Sequence, residues 1–327
     1  MVYLSYIKRT YINNFNKLIE FQMGFCRQNI KALFLENKHK EIKGNFLCLG
    51  RQTVNLDIKE LEKLFEKKYN LNSENLDKIT KHAKQTKNLR ITDKAFLENT
   101  FNVKYFSMDI NKYEKASIIG DLNKELPKKY FKKFDFIFSG GVLDNLFNPS
   151  TALINITKLL KDDGRILIWE PSKGLVGSML NFTPEYFYSY FSINNFKDYK
   201  VYLLTHIKDL KKKKHNFDYY VDAYLYRPQF TRKKNFDYLK SSKSLNGIHY
   251  VMVVAEKSKN SSFHKIPINL HYIKYAEKNK RIFWNKKKVA SKRPVLGIQK
   301  KYKIFKRKNI KKLPYNTDHF KYLVSDF

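Results

Sequence analysis

Cysteine is nearly missing from these 327 residues: there are two, Cys26 and Cys48. They stand far apart, each in an apolar-patterned segment. That argues against a disulfide framework or a zinc site and for a reducing compartment. Long apolar runs are missing as well. No stretch approaches the ~18–20 residues that span a bilayer, and the opening MVYLSYIKRTY lacks the basic region and apolar core of a secretory leader. Glycine is scarce, at 11 residues. In FLCLGRQTVNLD, residues 46–57, an apolar run stops at a single glycine, Gly50, and no second or third follows. Internal repeats and RNA-binding motifs are absent. Acids are outnumbered, 30 Asp+Glu against 65 Lys+Arg, which leaves a net charge of +35.

That charge has two readings. One is a polyanionic partner: nucleic acid, an anionic membrane surface or an anionic glycan. The other is mutational, because Lys, Asn, Ile, Phe and Tyr are all abundant and all have A/T-rich codons. The end of the chain is the denser part, since residues 257–327 hold 21 Lys+Arg against 3 Asp+Glu. There the bases alternate with Tyr272, Tyr275, Phe283, Trp284, Tyr302 and Phe305. Such a pattern suits packing on a core, contact with an anionic membrane surface or polyanion, or stacking on RNA bases, with RNA ranked last.

Periodicity predicts helices within residues 1–40, where Phe15, Leu18, Ile19, Met23, Ile30, Leu33 and Phe34 fall at helical spacing. A strand is expected at 46–49, followed by helices at 56–69, 72–85 and 94–101, the last capped at Thr92-Asp93. Strands then alternate with helices: strands at 103–108, 116–119, 134–139 and 165–169, and a helix at 149–160 with Asn148 before it. Asp162-Asp163-Gly164 reads as a turn. Two late strands, 200–206 and 250–255, suit a sheet edge as an antiparallel pair. The alternation implies an α/β fold with a doubly wound, mostly parallel sheet. The expected organisation is an N-terminal helical segment (1–40), a main domain (41–258) with a helical insertion (56–101), and a basic, aromatic-rich extension (259–327).

In such a sheet, ligands sit beyond the carboxyl ends of the strands. The notable residues here stand at those ends: Gly50, Asp109, Asp121 and Gly140. An acid ending the second strand can accept both hydroxyls of a ribose, and one ending the third can meet an adenine amino group. A pyrophosphate needs several glycines for its approach to backbone amides; a cofactor without phosphate does not.

These segments resemble class I S-adenosylmethionine-dependent methyltransferases, and among them a divergent bacterial group associated with surface-polysaccharide genes. The similarity rests on LCLGRQ (47–52), ITDKAFLENTF (91–101), YFSMDINKYEKASIIGDLNKELP (105–127), FDFIFSGGVLDNLFNPSTALINITKLLKDDGRILIWEP (134–171) and NFTPEYF (181–187). It implies a Rossmann-like methyltransferase fold with S-adenosylmethionine as cofactor and no metal. Leu49, Gly50 and Arg51 would border the methionine portion, with Gly140 nearby. Asp109 with Ile110 would hold the ribose, and Asp121 with Leu122 would flank the adenine. Two departures matter. The stretch from Gly50 to Asp109 is far longer than the ~20 residues of a minimal unit, so the inserted helices are expected to project as a cap. Relatives carry Glu-His where this chain has Asp144-Asn145, and a further His near Gly177.

Methyl transfer asks a protein mainly to align the acceptor and exclude water, while a hydroxyl acceptor also benefits from a base. Asp144 and Asn145 are the acceptor-side candidates, though Asp144 also reads as an acid near a helix start. His206, His249 and Glu185 read as edge or capping residues. The leading expectation is a cytoplasmic enzyme, peripheral to the membrane if its basic extension binds there, that methylates a sugar or glycan precursor. The rivals are an RNA methyltransferase using the basic tail and a non-catalytic binding protein.

Overall fold

A computed structural model describes residues 24–56, 58, 61, 73–85, 91–173, 177–207, 220–226, 249–268 and 320–323. The helix expected at 56–69, apart from isolated residues, lies outside this set. So do residues 1–23, the lysine run at 208–214 and most of the extension.

The described elements are α1 (Arg27–His39), β1 (Lys43–Leu49), α2 (Ser73–Gln85), α3 (Asp93–Thr100), β2 (Asn102–Asp109), β3 (Ile118–Ile119), β4 (Phe134–Gly140), α4 (Pro149–Leu159), β5 (Leu160–Lys173), α5 (Pro184–Ile193), β6 (Asp198–Ile207), β7 (Tyr220–Tyr226), β8 (His249–Glu256) and β9 (Phe320–Leu323). Their strands form one sheet in the order β3-β2-β1-β4-β5-β8-β6-β7-β9. The first five run parallel. β8 is antiparallel to both β5 and β6, so β6 points the same way as the parallel set. This is the expected doubly wound, mostly parallel sheet, with the two late strands paired antiparallel as expected. Two strands were not anticipated: β7 extends the sheet beyond β6, and β9, from within the basic extension, pairs with β7.

Both faces are buried, as the alternation along β1 shows. Phe46 and Cys48 enter one apolar cluster, and Leu47 and Leu49 the other, because successive strand side chains point to opposite faces. The first face is covered by α1 (Ile30, Leu33, Phe34), α2 (Ile79, Ala83) and α3 (Phe96, Leu97). The second is covered by α4 (Leu153, Ile156) and α5 (Phe187, Phe191). The helical insertion therefore follows β1 as expected, but its described helices do not project. Their apolar residues lie in the cluster on the sheet, where burying a large side chain is worth about 1.5–3 kcal/mol. Thr92 caps α3 through its hydroxyl, which accepts from the Ala95 amide at 3.2 Å. Asn148 precedes α4 without capping it by side chain. The Asp-Asp-Gly turn lies inside β5, which loses register with β4 there and turns at Asp163 with φ +61°.

At the edge opposite the strand ends, Arg165 locks α1 to β5. Its guanidinium donates to the Glu36 carboxylate (3.1 Å) and to the carbonyls of Glu36 (3.1 Å), Lys40 (2.7 Å) and Glu41 (2.8 Å). It thus meets the negative end of α1 as well as a charge. Arg165 and Glu36 are both buried. Removing one partner of such a pair leaves a buried charge uncompensated, so Arg165→Met is expected to cost about 3–5 kcal/mol. Lys43→Ala, which breaks the exposed pair with Glu41, should change stability by less than ~1 kcal/mol. Chemical denaturation midpoints of the two variants provide the check.

Candidate functional site

The parallel strands bring their polar ends to one rim. The Gly50 amide donates to the Met108 carbonyl at 2.7 Å, and the Gly120 amide donates to the Asp109 carbonyl at 2.9 Å. These bonds stitch together the exits of β1, β2 and β3, so Gly50, Asp109 and Asp121 share one edge. Gly50 has φ +66°, in the left-handed region. The nearest atom a Cβ would meet is Val142 Cγ2 at 3.5 Å. Backbone conformation, not crowding, therefore asks for glycine here. Gly140 is the reverse case. A Cβ there would lie 2.7 Å from the Phe138 ring and 2.8 Å from Gln52 Oε1. Gln52 folds back over the ends of β1 and β4, its Nε2 donating to the Leu49 carbonyl at 2.7 Å.

Asp109 is half-buried, and its Oδ1 accepts the Ile110 amide at 2.7 Å. Ile110 itself is exposed, and Leu49 and Leu122 are buried. Asp121 Oδ1 accepts the backbone amide (2.9 Å) and side-chain amide (3.1 Å) of Asn123. The first of these bonds, with help from Lys124, holds the Asp121 carboxyl below its usual pKa. Arg51 lies beside Gly50, but its guanidinium is committed: Nε and Nη2 grip Asp93 at 3.0 and 2.7 Å, and Nη1 reaches the Glu114 carbonyl at 3.3 Å. Asp93, fully buried at the start of α3, also accepts the Gln52 amide (2.9 Å) and the Tyr105 hydroxyl. The insertion thereby fixes the chain that leaves β1.

Asp144 and Asn145, the residues expected on the acceptor side, occupy a one-turn 3-10 helix, Leu143–Asn145. Asn145 is exposed, and its Nδ2 donates to the Gly141 carbonyl (3.0 Å) and to Asp144 Oδ1 (3.2 Å). Asp144 is fully buried, roofed by the segment after β5, whose Met179 and Leu180 amides donate to its carbonyl at 3.0 and 3.1 Å. Its Oδ2 makes no hydrogen bond of good geometry, with Ser178 and Glu170 beside it.

The residue that organises this turn is Glu170 of β5, which sequence reasoning missed. Fully buried, it accepts the Ser139 hydroxyl (2.9 Å) and the amides of Val142 (3.3 Å), Leu143 (3.2 Å) and Asp144 (3.2 Å). None of these donors is a cation. Burial, and then the charge of Asp144, push the Glu170 carboxyl well above the usual range. Burial likewise raises Asp144. The only sequence signal was an acid closing an apolar strand, in RILIWEP.

Of the other candidates, Glu185 lies in the first turn of α5, and His249 is buried at the start of β8, where it pairs with Lys173 at the end of β5. The side chain of His206 lies outside the described residues. Among the described residues, no cluster of His, Cys, Asp and Glu is arranged to hold a metal, and no helix is long and apolar enough to cross a membrane.

No family model matches the chain, and no curated protein does. Solved structures with a partial likeness include a SAM-dependent methyltransferase from Archaeoglobus fulgidus, 13% identical with a TM-score of 0.38, over 74% of this chain and 99% of that one. Phosphoethanolamine N-methyltransferase 2 from Haemonchus contortus is 13% identical with a TM-score of 0.33, over 71% of this chain and 53% of that one. The cyclase SpnF is 9% identical with a TM-score of 0.35, over 73% and 88%. Likenesses at this level establish no activity, and the strand order and rim geometry carry the reading instead.

The acid pair generates a pH signature. A carboxyl raised in the folded state binds its proton more tightly there than in the unfolded chain. The resulting stability is fully present below the ordinary carboxylate range and is lost as pH rises toward the raised value. Thermal unfolding of wild type and Glu170→Gln across pH 4 to 8 should show this. The wild-type advantage is expected to shrink or reverse with rising pH, because the amide does not ionise.

Proposed function

We propose that this protein is an S-adenosylmethionine-dependent methyltransferase acting on a small acceptor, a sugar or glycan precursor. The observation that carries the reading is the single rim that joins left-handed Gly50, Asp109 and Asp121 through the Gly50–Met108 and Asp109–Gly120 backbone bonds. The residues present fit the cofactor. Asp109 uses one oxygen on the Ile110 amide, which leaves Oδ2 for ribose hydroxyls. Asp121 stays ionised beside the buried Leu122. Gly50 offers bare backbone where the methionine portion would lie. When bound, the cofactor supplies an electrophilic methyl group on a sulfonium. The chain's own part is to orient the acceptor and exclude water.

Two features bear on the acceptor, and the second favours a small polar one over RNA. Asn145, Phe147 and Asn148 are all exposed on the loop between β4 and α4, Phe147 by 79%. An open ring flanked by amides suits the apolar face and hydroxyls of a sugar. Residues 91–171, which build most of the rim, hold 12 Lys+Arg against 11 Asp+Glu, a net +1 of the total +35. A polyphosphate substrate would meet little attraction there. Contact with a polyanion or an anionic membrane surface, placing the protein at the cytoplasmic face, is assigned to the extension. A second reading, a binding protein without turnover, is favoured by one observation: Asp144 is fully buried and the exposed Asn145 is a poor proton acceptor.

Equilibrium titration with S-adenosylhomocysteine tests the cofactor assignment. Micromolar binding is expected, weakened roughly 10- to 100-fold in Asp109→Ala, as for the loss of hydrogen bonds to a charged group. A folded wild type that binds neither this product nor the cofactor would exclude the proposal. Transfer of labelled methyl to sugar precursors, set against RNA and against no acceptor, separates the enzyme from its two rivals.

A further inference from the structure

Helix α4 carries two buried polar residues, Asn155 and Thr157, and the first of them faces a loop of the rim. Asn155 is fully buried between Leu153 and Ile156 of the second core cluster. Its side-chain amide is spent entirely on one loop. Nδ2 donates to the carbonyls of Lys124 (2.7 Å) and Leu122 (3.2 Å), and Oδ1 accepts the Leu126 amide at 3.2 Å. That loop, residues 121–126, leaves β3 and presents Asp121 and Leu122 to the rim.

A second bond ties the same loop to the start of the same helix. Asn123 Oδ1 accepts the Asn148 amide at 2.9 Å, while Asn123 Nδ2 and its backbone amide hold Asp121. Near the last turn of α4, Lys158 pairs with Glu125 at 2.6 Å. Positions 155 and 158 fall on one side of the helix, a step of three being close to a whole turn, and the Asn148 amide stands at its start. The loop is therefore clamped along the length of α4. Its backbone has little freedom left for a ligand to remove, which is how a site is preorganised.

We infer that Asn155 is a positioning residue for base recognition: it holds the Leu122 backbone where the Asp121–Leu122 pair discriminates adenine from other purines. This rests on the cofactor reading above and adds to it a selectivity device. An apolar side chain at 155 would leave the Leu122 and Lys124 carbonyls and the Leu126 amide without their partner in a buried setting. The loop would then relax toward other bonds and lose its fixed register on the base.

The test uses the full chain, with S-adenosylhomocysteine and its 6-oxo analogue, S-inosylhomocysteine, as probes. Wild type is expected to prefer the amino purine. Asn155→Leu should weaken S-adenosylhomocysteine roughly tenfold and bring the ratio of the two affinities toward one. General loosening of the fold would weaken both probes alike and leave the ratio unchanged. Asn155→Asp gives a second readout. Its ionised carboxylate faces two carbonyls, and its protonated form can donate to one of them. Its affinity relative to wild type should therefore recover as the pH is lowered from 8 to 6. An unchanged base ratio in Asn155→Leu, in a wild type that does bind S-adenosylhomocysteine, would overturn this inference and leave the cofactor reading standing. Absence of binding by wild type overturns both. If Asn155→Leu does not fold, hydrogen exchange in unliganded wild type decides: the Leu126 amide is expected to be protected, and rapid exchange there refutes the clamp.

Discussion

A parallel strand covered by helices on both faces has only its ends to offer to a ligand, and the chemistry of this protein follows from that confinement. Phe46 and Cys48 close one face of β1 and Leu47 and Leu49 the other, so its next accessible atoms are those of Gly50. β2 likewise becomes accessible at Asp109, after the buried Ser107 and Met108, and the chain leaving β4 does so at Gly141, because Gly140 is itself buried. Because neighbouring strands run in register, their exits are hydrogen-bonded neighbours, and polar groups far apart in sequence meet along one edge.

Along that edge, acids do much of the structural work. Asp93 binds Arg51, the Gln52 amide and Tyr105, and so holds the turn after β1 against the insertion. Glu170 gathers a hydroxyl and three backbone amides and so shapes the turn after β4. Asp121 is drawn down by Asn123. A carboxylate is suited to this role because its two oxygens accept several donors at once. The near balance of charge in residues 91–171 reflects it: the acids sit where backbone must be ordered, while the excess lysine lies elsewhere.

Much of the architecture was legible because it depends on short-range pattern. The runs that became β1, β2, β4 and β8 alternate or stay apolar over a strand's length, and α2 and α3 repeat their apolar residues at helical spacing. What escaped notice depended on distance. β7 and β9 are short aromatic-bearing runs in lysine-rich surroundings, and their place in the sheet is fixed only by pairing with each other and with β6. The projecting insertion was expected from loop length alone, and length says nothing about which face a helix covers. Glu170 reads as an ordinary strand residue until β5 comes to lie beside the earlier turn at Val142–Asp144. Arg51 looks free for a ligand until Asp93, 42 residues on, reaches it.

The chain's residue order was enough to establish a sheet of alternating strands and helices, the single glycine after its first strand, and acids where the second and third strands run out, because each is set by neighbours a few positions away. Folding in three dimensions decided which of those polar groups remain available. Asp109 keeps an oxygen free at the rim, Arg51 is claimed by a buried carboxylate, and Asp144 is sealed beneath the segment after β5. The physical reason is that a polar group withdrawn from water must find a partner. That partner is supplied by whichever strand or helix the fold brings alongside.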